Sequence, residues 1–488
     1  MGNILGNLKP EPLWRHFEEM CAIPHPSKHE QAMREYVINF AKKHNLEYEL
    51  DEVGNVLIRK PATPGMENCK TVVMQGHLDM VPQANSDVKH DFTKDPIKPR
   101  IDGEWVKATG TTLGADNGMG VSTTLAILEA HDIQHGPIEA LYTIDEETGM
   151  TGAFGLKPGY LKGDILLNLD SEDDGELFIG CAGGTNANAL FKFKKSVVPK
   201  NYSAFKITVK GLKGGHSGCD IHLGRGNSNK ILFRFLRVAE KEFSLRLAAV
   251  EGGNLRNAIP REAYAVVMVP RNLAKNFESY VNVFEDIVER ELSTVEPDFE
   301  MSVEKAKAPK NLIDKNTQKN LINAIIACPN EVIRMSNDMP GLVETSTNLA
   351  IVKSNSKTNT VEVRCLLRSS VDSAKEYLEQ AVESVFELAG ASVIFDGKYP
   401  GWKPNPKSPI LTVMYDLHEK LFGKKPEIKA IHAGLECGLI GGIYPNLDMI
   451  SFGPTIKNPH SPDEKVKIET VERFWSFILE TLKNIPKK

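Results

Sequence analysis

Short apolar runs that break off at metal-binding side chains constrain this chain more than any other feature. "VVMQGH" ends at His77, "IEALYTIDEE" ends at the adjacent Glu146 and Glu147, and "ILLNLD" ends at Asp170. "LDMISFGP" runs into a loop carrying His460. Runs this short and this apolar are the signature of strands buried on both faces, and such strands belong to parallel sheets covered by helices. Helical patterns alternate with them. The glycine-rich "ATGTTLGADNGMG" leads into a helix from about residue 117 to 130, with Asp116 just before it. The expectation is an α/β chain with a doubly wound, mostly parallel sheet.

The pattern changes further along. After about residue 185, "FKITVKGLKGGHSG" alternates like a half-exposed strand. Helical stretches follow at 225–241 and 275–293, with strands at "REAYAVVMV" and "TVEVRCLLR". Such a segment reads as an α+β insert, a lid. The stretch 396–409, rich in Pro and Gly, reads as the crossing back. We therefore expect a catalytic domain in two parts, residues 1–185 and 400–488, around a lid domain at 186–399. Length agrees, because 488 residues exceed one ordinary core. Near the N-terminus, residues 11–44 read as helix interrupted by Pro24 and Pro26, with Ser27 and Glu30 as a capping box.

Composition closes off several alternatives. A net charge of -5 and the lack of a basic stripe argue against nucleic acid as a partner. No apolar run approaches the roughly 20 residues that span a bilayer, so no membrane is expected. "MGNILGNLKPEPLW" lacks a signal-peptide pattern, and Gly6 stands where acylation of Gly2 would want Ser or Thr. Seven scattered cysteines, none in a C-x-x-C pair, indicate a reducing, cytoplasmic setting.

Ligands in open parallel sheets bind beyond the carboxyl ends of the strands. His77, Asp116, the Glu146–Glu147 pair, Asp170 and His460 would meet there. An H-x-D pair, an acidic turn or a "GADNG" turn is commonplace alone; their co-occurrence in order is what carries weight. Two histidines and three carboxylates exceed the three protein ligands of a usual catalytic zinc. They suit two metals, one histidine each, with a carboxylate shared. Asp79, two positions from His77, points the same way and could accept its second ring N–H. Of Glu146 and Glu147, one could bind metal while the other faces water as a general base.

Taken with the longer motifs, these residues resemble a known family. "GHLDMVPQ", "GTTLGADNGMG", "DEETGMTGAFGL", "NLDSEDDGELFIGCAGG", "KGLKGGHSGCDIHLGRGN", "IHAGLECGL" and "GPTIKNPHSPDE" are similar, nearly end to end, to the co-catalytic dizinc exopeptidases that include carnosinase and acetylornithine deacetylase. The later motifs point to the family's bacterial branch of dipeptidases that cleave Xaa-His, such as β-Ala-His. The resemblance implies that His77 and Asp170 bind one Zn²⁺, Glu147 and His460 the other, and that Asp116 bridges them. It implies that Asp79 clamps His77, that Glu146 is the general base, and that His216 polarises the substrate carbonyl. Arg368 would grip the substrate's free carboxylate, with Asn257, Gly434 and Glu436 as further substrate contacts. It also implies a small peptide substrate, a homodimer, and two Zn²⁺ per subunit, for which Mn²⁺ or Co²⁺ could substitute. The alternatives are a related hydrolase (tripeptidase, carboxypeptidase or N-acyl amino acid deacylase), an inactive metal-binding dimer, or a moonlighting interaction protein.

Overall fold

The computed structural model describes residues 4–488, so Gly2 lies outside the described residues. The described chain forms two compact units, one of residues 4–180, 404–430 and 435–488, the other of residues 181–403 and 431–434.

The first unit is built on an eight-stranded sheet. Its order is Glu47–Leu50, Val56–Lys60, Ile138–Thr143, Val72–His77, Ile165–Asn168, Asp448–Ser451, Glu176–Cys181 and Glu427–Ile431. The central four are parallel: Val72–His77 runs alongside both Ile138–Thr143 and Ile165–Asn168, and Asp448–Ser451 alongside Ile165–Asn168. Antiparallel strands extend the sheet on either side. Every residue of Val72–His77, Ile138–Thr143 and Ile165–Asn168 is buried, which is why these runs carry no polar alternation. Helices Glu11–Cys21 and Ala115–Glu129 pack together, the latter against Val72–His77. Pro409–Phe422 and Ile468–Lys483 form a second pair, the former against Asp448–Ser451. Leu13, Trp14, Phe17, Leu113, Met119 and Val471 share one apolar cluster.

The second unit is a nine-stranded sheet with helices Ser228–Glu242, Ala274–Leu292, Lys315–Ala327 and Asp372–Leu388. Its ladders are antiparallel, for example Thr345–Asn355 against Thr360–Ser369, and the latter against Gly183–Lys192. One apolar core joins sheet and helices, with Phe191 against Phe386 and Phe235 among Phe277, Tyr280 and Phe284. Two of its four helices, Lys315–Ala327 and Asp372–Leu388, were not expected from the sequence.

The capping-box expectation fails. The second N-terminal helix begins at Gln31, and neither Ser27 nor Glu30 makes a side-chain cap for it. Ser27 Oγ instead donates to Asp79 Oδ2 at 2.8 Å, and Glu30 Oε1 accepts Asp145 N at 3.1 Å. The signature is real as local sequence, but Ser27 turns to a long-range partner, and Glu30 divides one oxygen between Lys28 N (2.7 Å) and the distant Asp145 N.

Candidate metal centre

Because the four central strands are parallel, their carboxyl ends share one edge, and the residues that interrupt them arrive together. His77 is the last residue of its strand. Its Nε2 lies 3.1 Å from Asp116 Oδ1 and 3.3 Å from Asp170 Oδ1. His460 Nε2 lies 3.3 Å from Asp116 Oδ2 and 3.0 Å from Glu147 Oε2. The two oxygens of Asp116 are thus divided, one facing each imidazole. Ligand atoms of His77, Asp116 and Asp170 lie within 4.8 Å of one another, as do those of Asp116, Glu147 and His460. Glu146 joins His77 and Glu147 in a third such group.

Local backbone explains how each side chain is aimed. Gly114 turns in the left-handed region (φ 74°), and Asp116 keeps an extended backbone (φ -85°, ψ 108°), so the regular helix begins only after Asn117. That delay swings Asp116 out over the strand ends. Asn117 Nδ2 then donates to Leu169 O at 2.6 Å and to Asp170 Oδ1 at 2.5 Å, which fixes Asp170. His460 adopts a left-handed backbone (φ 57°), which turns its loop back toward Asp116.

Asp79 holds more than a histidine. The nearer partner of His77 Nδ1 is the main-chain carbonyl of Asp79, at 2.9 Å, with Asp79 Oδ1 at 3.4 Å. The carboxylate mainly accepts N–H bonds from Glu146 (2.9 Å to Oδ1) and Glu147 (3.2 Å to Oδ2). The expected clamp is therefore shared between the Asp79 backbone and side chain, and the side chain's larger task is to set the Glu146–Glu147 turn. Ser27, Glu30, Asn117 and Glu464 support the cluster, and sequence reasoning missed all four. Glu464 ends the quoted motif "GPTIKNPHSPDE" but was given no role of its own.

The electrostatics call for cations. Burial pushes the Asp170 carboxyl up to about 7, against the pull of His77, and Asp116 and Glu147 add to the rise. Burial likewise holds Glu146 well above the usual carboxylate range; His77 opposes this, while Asp170, Glu436 and Glu147 reinforce it. Hydrogen bonds to Asp116 and Glu147 raise His460 to about 11. Glu147 Oε1 is buried without a hydrogen-bond partner. An orphaned buried oxygen costs on the order of 1–3 kcal/mol, more when charged. Crowded carboxylates, two facing imidazoles and an unpaired oxygen fit a pair of divalent ions, whose charge removes each of these penalties.

The remaining predicted residues lie elsewhere. Glu436 is in the first unit, 1% exposed, where its Oε2 accepts Gln75 Nε2 (2.6 Å) and Thr143 Oγ1 (2.8 Å). Burial pushes it up to about 8. Its side chain is enclosed beside the strand ends rather than open to a ligand. In the second unit, His216 Nδ1 accepts N–H from Cys219 at 3.1 Å and from Gly218 at 3.3 Å. A neutral ring bonded in this way carries its proton on Nε2. Burial, then the Arg368 charge, keeps that ring's pKa below its ordinary value. Arg368 is buried and donates from Nη1 to the Tyr399 hydroxyl at 3.2 Å. Gly434 packs close to the Tyr399 ring, and Asn257 is exposed, its carbonyl accepting Ser217 N at 2.8 Å. His432 is buried and bonds through Nε2 to Ser346 Oγ at 2.7 Å.

The chain is similar along its length to known proteins. The model of peptidase family M20/M25/M40 matches residues 73–484. The cytosol non-specific dipeptidase of Escherichia coli (strain K12) is 49% identical over 484 residues, 99% of each chain. The crystal structure of aminoacylhistidine dipeptidase from Vibrio alginolyticus is 51% identical, covers 100% of this chain and 99% of its own, and superposes with a TM-score of 0.95. Aminopeptidase PepT from Bacillus cereus covers 98% and 99% at 17% identity with a TM-score of 0.63, a likeness of fold alone.

Proposed function

The chain belongs to peptidase family M20/M25/M40, and from that premise we propose that it is a metal-dependent dipeptidase acting on Xaa-His and other dipeptides in the cytosol. The observation that carries this is the division of Asp116 between His77 and His460, with Asp170 and Glu147 completing the two groups. The two dipeptidases that match along almost the whole chain support the substrate class.

We assign His77, Asp170 and Asp116 to one ion and Glu147, His460 and Asp116 to the other, both Zn²⁺, with Mn²⁺ or Co²⁺ as substitutes. Divalent ions bound there would supply Lewis acidity and lower the pKa of water. Glu146 acts as general base. Its carboxylate takes a proton from the attacking water and later returns it to the leaving amine. A base with a raised pKa suits both transfers. His216, by family resemblance, donates from Nε2 to the developing oxyanion; loss of one such donor typically costs about 10²–10³ in rate. Arg368 takes the free carboxylate of the substrate, which limits the enzyme to short peptides. Asn257 and Gly434 we keep as substrate contacts; Glu436, bonded to Gln75 and Thr143, we assign instead to supporting the strand ends. The second unit serves as lid and dimerisation domain, and the enzyme works as a homodimer.

The test is a substrate panel of β-Ala-His, Ala-His, a tripeptide and N-acetyl-ornithine, run with metal-depleted and metal-restored enzyme. Dipeptide cleavage that vanishes on chelation and returns with zinc is the expected result. Preference for the tripeptide or for N-acetyl-ornithine would move the chain to another branch of the family. No hydrolysis of any of the four would favour an inactive metal-binding protein.

A further inference from the structure

One buried carboxylate near the cluster serves neither as ligand nor as base. Glu464 is 2% exposed and lies four residues beyond His460. Its Oε2 accepts N–H from Leu113 at 2.8 Å and Gly114 at 3.1 Å. Its Oε1 accepts N–H from Ala115 at 2.7 Å and, more weakly, from Asp116 at 3.4 Å. A single side chain thus gathers four consecutive amides of the turn that presents Asp116. The left-handed Gly114 lets those amides converge.

Resting on the ligand assignment above, we propose that Glu464 is a positioning residue that sets the separation of the two metal pockets by fastening the His460 loop to the Asp116 turn. His460 and Asp116 reach their 3.3 Å approach from loops 344 positions apart. A short antiparallel ladder, Lys465–Lys467 against Trp105–Lys107, joins the bases of those two loops, and the bonds to Glu464 carry that connection on into the loops themselves. The Glu464 carboxylate fixes their backbones to each other. Freed from it, Asp116 would keep its contact with His77 through Oδ1 but lose the registration of Oδ2 with His460. The carboxylate cannot be replaced without cost. A glutamine offers one acceptor oxygen and turns an N–H₂ toward two N–H donors. An aspartate falls short by about one carbon–carbon bond, roughly 1.5 Å.

A built-in comparison separates positioning from mere stabilisation. Glu296, 0% exposed in the other unit, makes the same kind of bond: Oε1 accepts Gly226 N at 2.8 Å and Oε2 accepts Lys213 N at 2.7 Å. The experiment titrates metal-free wild-type, E464Q, E464D and E296Q protein with Co²⁺, following visible absorption and bound stoichiometry, and records thermal midpoints. We expect E464Q to bind its weaker ion about 10–100-fold less tightly with an altered spectrum, the range found when a ligand's support is removed. E464D should fall between it and wild type. E296Q should lose thermal stability alone, keeping wild-type affinity and spectrum. If E464Q does not fold, E464D decides: weakened cobalt binding supports the proposal, and wild-type binding overturns it. E464Q that takes up two ions with wild-type affinity and spectrum overturns it as well. Wild-type protein that takes up no cobalt would instead overturn the ligand assignment, and this proposal with it.

Discussion

Adjacent glutamates at the end of one strand face different surroundings. Glu147 Oε2 meets His460 at 3.0 Å, whereas Glu146 is held high by burial and by its acidic neighbours. Substitution should therefore split their roles. Glu146→Gln should lower kcat by about 10²–10⁴ while bound metal stays at the wild-type level. Glu147→Gln should lose metal first, and activity as a consequence. Metal analysis beside steady-state kinetics checks both, and equal metal loss in the two variants would refute the split. Gly76 shows the same precision on a smaller scale. A Cβ there would stand 2.2 Å from Asn117 Oδ1, and Asn117 is pinned by Leu169 O and Asp170 Oδ1. Gly76→Ala should push Asn117 aside, release Asp170 and weaken metal retention about tenfold, measured by equilibrium dialysis.

At the level of elements, the proposed ligands can be picked out in the sequence, but not what holds them. Most of the proposed ligands were legible because they follow short apolar runs, and runs of that kind fold in only a few ways. Asp116 was legible because a Gly-rich loop entering a helix presents its side chain at the sheet edge. Ser27 was misread because a serine three residues before a glutamate is a valid local cap, and only the fold brings Asp79 to it. Asp372–Leu388 went unread although Leu378, Val382 and Phe386 repeat at helical spacing and are buried. The sequence between strands there was read as part of a smaller insert. The reassignment of Ser27 makes its own prediction. Ser27→Ala should cost about 1.5–3 kcal/mol of stability, since a hydrogen bond to a charged carboxylate is lost. Its kcat/KM should fall, because Asp79 loses one of the bonds that orient the Glu146–Glu147 turn. A lower melting temperature with unchanged kcat/KM would restore the capping role.

Across the molecule, the two units divide chemistry unequally. His77, Asp116, Glu146, Glu147, Asp170 and His460 all belong to the first, and they come from two of its three separated chain segments. Bound ions would act there as a cross-link between segments that the intervening chain interrupts. They would also offset the burial, and the smaller mutual repulsion, that raise Asp170 and Glu146. An ion that binds only the folded state stabilises by RT ln(1 + [M]/Kd), about 2.7 kcal/mol at a hundredfold excess over Kd. The second unit, with its own continuous core from Phe191 to Phe386, contributes none of the assigned ligands. Chelation should therefore lower the transition of the first unit by several degrees and leave that of the second in place. Scanning calorimetry with and without chelator, or hydrogen exchange resolved by segment, distinguishes the outcomes. Protection lost across 72–77, 138–143 and 448–451 but kept across 343–369 is the expected pattern. Equal loss in both units would mean that folding is coupled more widely than the placement of the ligands requires.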